Sequence, residues 1–300
     1  MPCAPIALFV HARPHHTRAV LAALRRNHLA RESELVVFSD GPKGSDETLA
    51  VQAVRDLAHA IDGFGGVSVV ERPCNLGLAA SIIAGVTDVV ETAGQVIVVE
   101  DDMLTSPAFL TFMNGGLDRF RDDERVASVH GYLPPLGEPM PEAFFLRGAD
   151  CWGWATWTRA WSLFRSDGAT LLRELEARRL TAAFDCNGSY PFTQMLRDQV
   201  AGRNDSWAIR WHASVFLLGG LTLHPGRSLV QNIGLDGSGT HCGTDDRFET
   251  TLALEPPSLA SVAVEEDLVA RAAFERFYRA RRPTTLQRLL RKVRSLTGMP

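Results

Sequence analysis

Short apolar runs alternate with helix-like segments through the first third of the chain. The runs cover residues 6–10, 35–38, 67–70 and 96–99. Between them, apolar residues recur at helical spacing over 18–29, 47–60 and 78–91. Strands that alternate with helices in this way predict a mostly parallel sheet flanked by helices. We therefore expect an α/β fold with a Rossmann-like central sheet.

The pattern is less regular in the second half of the chain. It has a tryptophan-rich stretch at 151–161, a helical segment near 171–180 and a β-like run at 219–223. Within the first of these, Trp154, Trp157 and Trp161 have the spacing of one helical face, which is typical of core packing. We expect this half to complete the sheet.

The C-terminal residues have the pattern of a helical extension. Apolar positions recur at helical spacing over 258–277, and Thr284 and Gln287 then form a capping-box signature. The apolar face that follows comprises Leu286, Leu289, Leu290, Val293 and Leu296. We therefore expect a main domain at 1–255 and a helical, basic amphipathic tail at 256–300.

The net charge of the chain is unevenly distributed. The total of −4 comprises +8 in residues 276–300, which contain no acid, and −12 in the remainder. A basic amphipathic tail predicts contact with an anionic membrane surface, and packing of the helix on the protein itself is the alternative. The negative body disfavours binding to nucleic acid.

Composition predicts a globular protein of the cytoplasm. Of the 300 residues, 45% are hydrophobic and 22% are charged. The apolar runs are shorter than the roughly 18 to 20 residues of a membrane-spanning helix, and we see no signal-peptide pattern. Five cysteines without a C-x-x-C pair favour reduced thiols. Peripheral contact with the inner face of the membrane is an additional hypothesis, which depends on the tail.

Three consecutive acids, Glu100, Asp101 and Asp102, follow the fourth expected strand. Parallel α/β sheets bind ligands at the carboxyl ends of their strands, and burying acids is costly unless a cation neutralises them. Mg²⁺ and Mn²⁺ take oxygen ligands and complete their shells with water and substrate phosphates. The acids therefore predict a site for a divalent metal with a nucleotide diphosphate. A solvated acidic turn is the alternative.

These acids resemble the DXD motif of GT-A glycosyltransferases. Their E-D-D form is similar to that of N-acetylglucosaminyltransferase I, which residues 145–161 also resemble. Residues 5–245 resemble bacterial family-2-like glycosyltransferases. The segments that carry this resemblance are N-L-G-L at 75–78, D-S-W-A-I-R-W at 205–211, N-I-G-L at 232–235 and G-T-H at 239–241. The resemblance implies a GT-A fold, with a nucleotide-sugar-binding half at 1–105 and an acceptor half at 106–255.

The resemblance also implies roles for individual residues of the donor half. Asp102 would be the direct metal ligand, while Glu100 and Asp101 would face the donor sugar and ribose. The other donor or nucleotide positions are Ala12, Arg13, Asp40, Asn75 and Gly77.

Three of these positions also have a purely structural interpretation. Arg13 could be a surface ion-pair partner rather than a nucleotide contact. Asp40 could belong to a simple turn at 39–42 rather than accept a base N–H. Asn75 could cap the helix that follows, which is compatible with a place beside the donor.

In the acceptor half, Asp205 matches the acid that often serves as the general base. It could instead cap a helix that begins at Ser206. His241, in a glycine-rich loop, could bind the metal, close over the diphosphate or simply be solvated. Trp152 and Gly153 are the expected acceptor contacts, because aromatic faces stack on sugars.

Together these features predict a metal-dependent, inverting glycosyltransferase. It would use Mn²⁺ or Mg²⁺ to move a hexosyl or N-acetylhexosaminyl group from a nucleotide diphosphate-sugar to a glycan or lipid-linked acceptor. One alternative is a sugar nucleotidylyltransferase, which the lack of glycine in residues 11–16 disfavours. Another is a non-catalytic nucleotide-sugar- or carbohydrate-binding scaffold of the same fold.

Overall fold

The structure is a computed structural model that describes residues 2–237 and 246–281. Its strands are β1 (Ile6–Val10), β2 (Glu34–Ser39), β3 (Gly66–Glu71), β4 (Gln95–Glu100), β5 (Met103–Thr105), β6 (Val126–His130), β7 (Ala143–Arg147), β8 (Trp154–Trp157), β9 (Leu221–Pro225) and β10 (Val230–Asn232). Its α-helices are α1 (Pro14–Arg25), α2 (Thr48–Ala60), α3 (Leu78–Ala93), α4 (Phe109–Arg119), α5 (Thr158–Trp161), α6 (Gly168–Ala177), α7 (Thr181–Phe184), α8 (Phe192–Val200), α9 (Trp207–Leu217) and α10 (Leu268–Ala280).

Eight strands form one central sheet in the order β3-β2-β1-β4-β8-β6-β9-β7. The first four are parallel, β8 is antiparallel to both β4 and β6, β9 is parallel to β6, and β7 is antiparallel to β9. A separate antiparallel pair joins β5 to β10. Six strands therefore end at one side of the sheet, here called the carboxyl edge. The expected α/β fold with a mostly parallel central sheet is confirmed.

Burial follows the position of each strand in the sheet. Every residue of the central strand β1 is buried, whereas β3 at the sheet margin is largely exposed. A strand with helices on both faces must be apolar throughout, which explains the unbroken run at 6–10. Helix α3 lies close over β1 because residue 85 is glycine: a Cβ there would come within 2.7 Å of the Phe9 ring.

The tryptophans of the second half form a packed cluster. Trp154 and Trp157 belong to strand β8, so the helical spacing expected for 154–161 is wrong, and only Trp161 lies on a helix. All three are buried as expected, and the Trp154 ring stacks on Trp207 with centroids 5.4 Å apart. Trp154 and Trp157, three residues apart, lie on opposite faces of β8, and both are buried because the strand is covered on both faces.

The C-terminal extension is helical over a shorter range than expected. Residues 258–267 are not an α-helix; α10 begins at Leu268, where the Asp267 side chain accepts hydrogen bonds from the amides of Val269 and Ala270. The amphipathic segment expected beyond residue 281 lies outside the described residues. Within residues 2–237 and 246–281, no helix has the length and apolar character needed to cross a membrane.

Candidate functional site

The carboxyl edge brings Arg13, Asp101 and Asp102 into contact. Arg13 follows β1, and the two acids follow the neighbouring strand β4. The Nη2 atom of Arg13 donates to Asp101 Oδ1 and, at 3.0 Å, to Asp102 Oδ2. Burial opposes the charge of Arg13, but the two carboxylates outweigh it and raise the pKa of Arg13. One guanidinium thus balances part of the charge of three acids.

Two carboxylate oxygens at this site are buried without a hydrogen-bond partner among the described residues. They are Asp101 Oδ2 and Asp102 Oδ1. An unpartnered buried acceptor costs about 1–3 kcal/mol, and more when it is charged. The two oxygens are therefore free to take a cation.

The strand-terminal acid Glu100 is held in its protonated form by its surroundings. Burial, followed by repulsion from Asp102 and Asp101, raises the pKa of Glu100 to about 8. Burial likewise raises the pKa of Asp101, although Arg13 opposes it. Excess negative charge that a single arginine does not cancel is the electrostatic signature of a cation site.

The N-I-G-L segment at 232–235 packs directly against the third acid. Strand β10 pairs with β5, and the amide of Ile233 donates to the carbonyl oxygen of Asp102 at 2.8 Å. A Cβ at residue 234 would lie 2.3 Å from Asp102 Oδ2, so only glycine fits beside this carboxylate. This segment is one of those that carry the family resemblance, but its sequence does not predict that Gly234 adjoins the acids.

The residues present fit a hard divalent cation that shares its shell with a substrate. Mg²⁺ and Mn²⁺ commonly use one or two protein carboxylates together with water and phosphate oxygens. Asp101 and Asp102, which both contact Arg13, each supply one oxygen without a partner among the described residues. Over residues 2–237 and 246–281 there is no group of three or more His, Cys, Asp or Glu residues arranged to hold a metal. His241, the other expected ligand, lies outside the described residues.

Asp40 lies at the carboxyl edge after β2 and binds the loop that follows β3. Its carboxylate oxygens accept hydrogen bonds from the amides of Leu76, at 3.0 and 3.2 Å, and Gly77, at 3.2 Å. Its side chain is buried. In this structure Asp40 therefore positions the loop that contains Leu76 and Gly77, and its role toward a nucleotide stays a prediction.

Asn75 and Gly77 shape that loop in a way the sequence did not indicate. Asn75 does not cap α3; Gly77 occupies the N-cap position with φ of 80°. The Asn75 Oδ1 atom accepts the Gly77 amide at 3.0 Å, and its Nδ2 atom donates to the Gly41 carbonyl oxygen at 3.0 Å. A positive φ is the reason for glycine here, since a Cβ would meet no neighbour.

His11 is a residue of this edge that sequence reasoning missed. Its Nε2 atom lies 3.1 Å from the Gly41 carbonyl oxygen, 3.0 Å from Asn75 Nδ2 and 3.3 Å from Glu47 Oε2. His11, next to the half-buried Ala12, thus links the end of β1 to the segments that follow β2 and β3. Its position directly after a buried strand was the available signal.

Asp205 lies just before α9 and is open to solvent. Its side chain is 75% exposed and forms a 3.0 Å ion pair with Arg210. Ser206, not Asp205, caps the helix, because its hydroxyl accepts the Ile209 amide at 3.2 Å. The structural alternative for Asp205, a helix cap, is therefore wrong. Its role as a base stays a prediction.

Trp152 and Gly153 lie at the carboxyl edge, immediately before β8. The half-buried Trp152 ring packs edge-on against Tyr132 at 4.7 Å and Phe248 at 5.9 Å. The Gly153 carbonyl oxygen accepts the Gly131 amide at 2.7 Å, and a Cβ at Gly153 would lie 2.7 Å from Val230. The tight fit explains the glycine, and acceptor contact stays a prediction.

Comparison with known proteins adds little to this geometry. No protein-family model and no curated protein matches the chain. Solved structures that match include S. aureus TarS, at 17% identity and a TM-score of 0.32, covering 48% of this chain and 24% of that one. Another is the mannosyltransferase PcManGT from Pyrobaculum calidifontis in complex with GDP-Man and Mn²⁺, at 15% identity and a TM-score of 0.38, covering 71% and 69%. A third is UDP-glucose pyrophosphorylase complexed with UDP-glucose, at 13% identity and a TM-score of 0.31, covering 54% and 79%.

Two of these neighbours are a mannosyltransferase and a pyrophosphorylase of a nucleotide sugar, and the match to TarS spans about a quarter of that chain. At such identities and TM-scores the likeness carries no argument about chemistry. The class of protein rests on its own features: an α/β chain with a carboxylate site where a central parallel strand ends. This site, formed by Arg13, Glu100, Asp101, Asp102 and Gly234, is called the carboxylate site below.

Proposed function

We propose that this chain is a metal-dependent, inverting glycosyltransferase of the GT-A type, with residues 1–105 binding a nucleotide diphosphate-sugar and 106–255 binding the acceptor. The observation that carries the proposal is the pair of unpartnered oxygens on Asp101 and Asp102 at the end of β4. A nucleotide diphosphate with its divalent ion is the ligand that would complete such a site.

The carboxylate site would hold Mg²⁺ or Mn²⁺ through Asp102, with Asp101 and Glu100 facing the sugar and ribose. When bound, such an ion stabilises negative charge that develops on a leaving diphosphate. Arg13, at present bonded to both aspartates, would then be released to the phosphates, which a guanidinium binds well. The raised pKa of Glu100 lets it donate a hydrogen bond to a sugar hydroxyl at neutral pH.

Asp205 would take the proton of the acceptor hydroxyl as a general base. The ion pair with the buried Arg210 engages one carboxylate oxygen of Asp205 and leaves the second oxygen for the acceptor hydroxyl. Attack from the face opposite the diphosphate inverts the anomeric centre. The sugar transferred would be a hexosyl or N-acetylhexosaminyl group, and the acceptor a glycan or lipid-linked glycan.

The test is donor hydrolysis across a panel of UDP-, GDP- and dTDP-sugars with Mn²⁺, Mg²⁺ or a chelator. We expect one donor to yield nucleoside diphosphate and free sugar, and this activity to be lost in Asp102→Ala and on chelation. Asp62→Ala is the matched control, because that acid is exposed and forms an ion pair with Arg25 at the surface.

Other products would overturn the proposal. Release of sugar 1-phosphate in the presence of pyrophosphate would identify a nucleotidylyltransferase. Metal-dependent nucleotide binding without turnover of any donor would identify a binding scaffold.

A further inference from the structure

A largely apolar pocket lies between helices α8, α9 and α10. Its volume is about 50 Å³, or about 430 Å³ when the space open to solvent is counted. Its wall includes Asp150, Phe192, His212, His224, Phe274 and Tyr278, which together are called the histidine cleft. Residues 148–153 run along it from the end of β7 to the start of β8 at the carboxyl edge.

Hydrogen bonds fix which nitrogen of each histidine carries its proton. The Trp152 amide donates to His130 Nε2 at 3.2 Å, so the His130 proton is on Nδ1. That atom lies 3.3 Å from His224 Nδ1, which must accept, and the His224 proton is therefore on Nε2. His224 is only 4% exposed and lines the cleft, and its Nε2 atom has no partner among the described residues.

The imidazole of His212 presents a hydrogen-bond acceptor to the cleft, whereas that of His224 presents a donor. The His212 Nδ1 atom lies 2.6 Å from the Ala149 carbonyl oxygen and 3.2 Å from the Ala149 amide nitrogen. The shorter contact assigns the proton to Nδ1, which leaves Nε2 as an acceptor. Burial lowers the pKa of both His212 and His224, so both are neutral. The cleft therefore presents one neutral donor and one neutral acceptor.

The cations of the cleft are committed to the fold. Arg271 donates to Glu266 at 2.8 Å, to Glu275 at 3.3 Å and to the Ala183 carbonyl oxygen at 2.6 Å. Arg147 donates to the Phe216 carbonyl oxygen and lies over its ring, 4.2 Å from the centroid. Two carboxylates thus neutralise Arg271, whereas a carbonyl oxygen and an aromatic face hold Arg147, and an anionic ligand would also face the acid Asp150.

Aromatic faces complete the lining. Phe192 and Tyr278 are half-buried, and Phe274 is buried beneath them. The Tyr278 hydroxyl has no hydrogen-bond partner among the described residues. Aromatic faces with a carboxylate and neutral donors and acceptors match the apolar faces and hydroxyl groups of an uncharged sugar ring.

The cleft is close to the carboxylate site. The Asp150 Oδ1 atom lies 3.8 Å from His130 Nε2, at the carboxyl edge. Burial raises the pKa of the thiol of the next residue, Cys151. The carboxylates of Asp150, Glu100 and Asp102 raise it further, so residues of both sites act on this thiol. Asp150 and Cys151 thus connect the histidine cleft to the surroundings of the carboxylate site.

We propose that the histidine cleft binds an uncharged sugar of the acceptor, with Asp150, His212, His224 and Tyr278 contacting its hydroxyl groups. This inference rests on the proposed function for its role in transfer. Binding itself does not depend on that function.

The test is ligand-observed NMR of the full chain with methyl glycosides of glucose, galactose, mannose and N-acetylglucosamine. We expect saturable binding of at least one, weakened about three- to tenfold in Tyr278→Phe and in Asp150→Asn. Tyr190→Phe is the control. It makes the same chemical change, loss of a phenol hydroxyl, in a neighbouring ring whose centroid lies 4.6 Å from that of Tyr278.

The inference is overturned if none of the glycosides binds or if both variants bind the glycoside as tightly as the native chain does. It is also overturned if glucose 1-phosphate binds more tightly than methyl glucoside. Donor hydrolysis by the same sample separates the two proposals. Hydrolysis without glycoside binding rejects the cleft alone, and glycoside binding without hydrolysis of any donor rejects the proposed transferase.

Discussion

The carboxylate site and the histidine cleft compensate their charged groups in different ways. At the carboxylate site, three acids share one arginine and two oxygens lack a partner. In the cleft, buried histidines are neutral, Arg271 pairs with Glu266 and Glu275, and a carbonyl oxygen and an aromatic ring hold Arg147. The first arrangement is suited to a cation with an anionic ligand, and the second to a neutral ligand. The difference fits a sugar donor that carries a charged diphosphate and a sugar acceptor that is uncharged.

The largest expected effect is acid unfolding that originates at the histidines. Burial lowers the pKa of His130 and of His224 to about 3, below their unfolded value near 6.5. The unfolded state therefore binds more protons below pH 6.5, and the free energy of unfolding falls as the pH falls. Two such groups give up to about 2.7 kcal/mol per pH unit.

This slope is measured by urea unfolding between pH 7 and pH 4. The double variant His130→Gln/His224→Gln should flatten it, whereas His59→Gln, at an exposed histidine paired with Glu71, should leave it unchanged. An unchanged slope in the double variant would mean that the pair titrates normally.

The next effect concerns the proposed base. Asp205→Asn should lower sugar transfer by about a hundredfold or more while donor hydrolysis by water falls far less, because only the acceptor hydroxyl needs that base. Transfer and hydrolysis are followed together by product chromatography. Asp198→Asn, at another surface acid paired with an arginine, is the control. Equal loss of both activities would assign Asp205 to the fold or to the donor.

At the carboxylate site the pH response should have the opposite sign. The pKa of Glu100, about 8, lies above its unfolded value of 4.5, so the folded state binds more protons between these values. The free energy of unfolding of the metal-free protein should thus fall as pH rises, by at most about 1.4 kcal/mol per pH unit from this group.

Glu100→Gln should reduce that slope without abolishing it, since burial also raises the pKa of Asp101. Chemical unfolding from pH 5 to pH 8 in chelator measures it. Saturating Mn²⁺ should remove most of the slope from the native protein. A slope that is the same with and without Glu100 would contradict the assignment.

A smaller and more local effect tests the packing of Gly234. Gly234→Ala places a Cβ against the Asp102 carboxylate and should weaken Mn²⁺ binding about tenfold or more with the fold retained. Isothermal titration measures the affinity. Gly115→Ala is the control, because its Cβ would meet only Leu259 at 3.5 Å. Full affinity in Gly234→Ala would show that Asp102 is not a ligand.

The smallest expected effect concerns competition between Arg13 and the cation. Arg13→Gln removes the guanidinium from both aspartates and should tighten binding of Mn²⁺ alone by roughly threefold. The same variant should weaken binding of the nucleotide diphosphate. Arg25→Gln, at an exposed ion pair with Asp62, is the control. Weaker binding of Mn²⁺ alone would show that Arg13 supports the metal site.

The sequence determined the first four strands, the helices between them and the position of the acids. It could do so because the central strands β1 and β4 are buried on both faces, and β2 largely so; they therefore appear as continuous apolar runs, with site residues directly after them. Exposed β3 was found from its β-branched residues alone. The same local signal identified Asp40 and Asn75 but not what they bind.

Tertiary structure alone decided what meets at each site. Gly234 reaches Asp102 through the pairing of β10 with β5, and Arg13 reaches both aspartates because β1 lies beside β4. The histidine cleft is assembled from segments between residues 146 and 278, whose separate patterns show only strands and helices. Side chains that are polar yet buried give no periodic signal, because their partners lie far away along the chain.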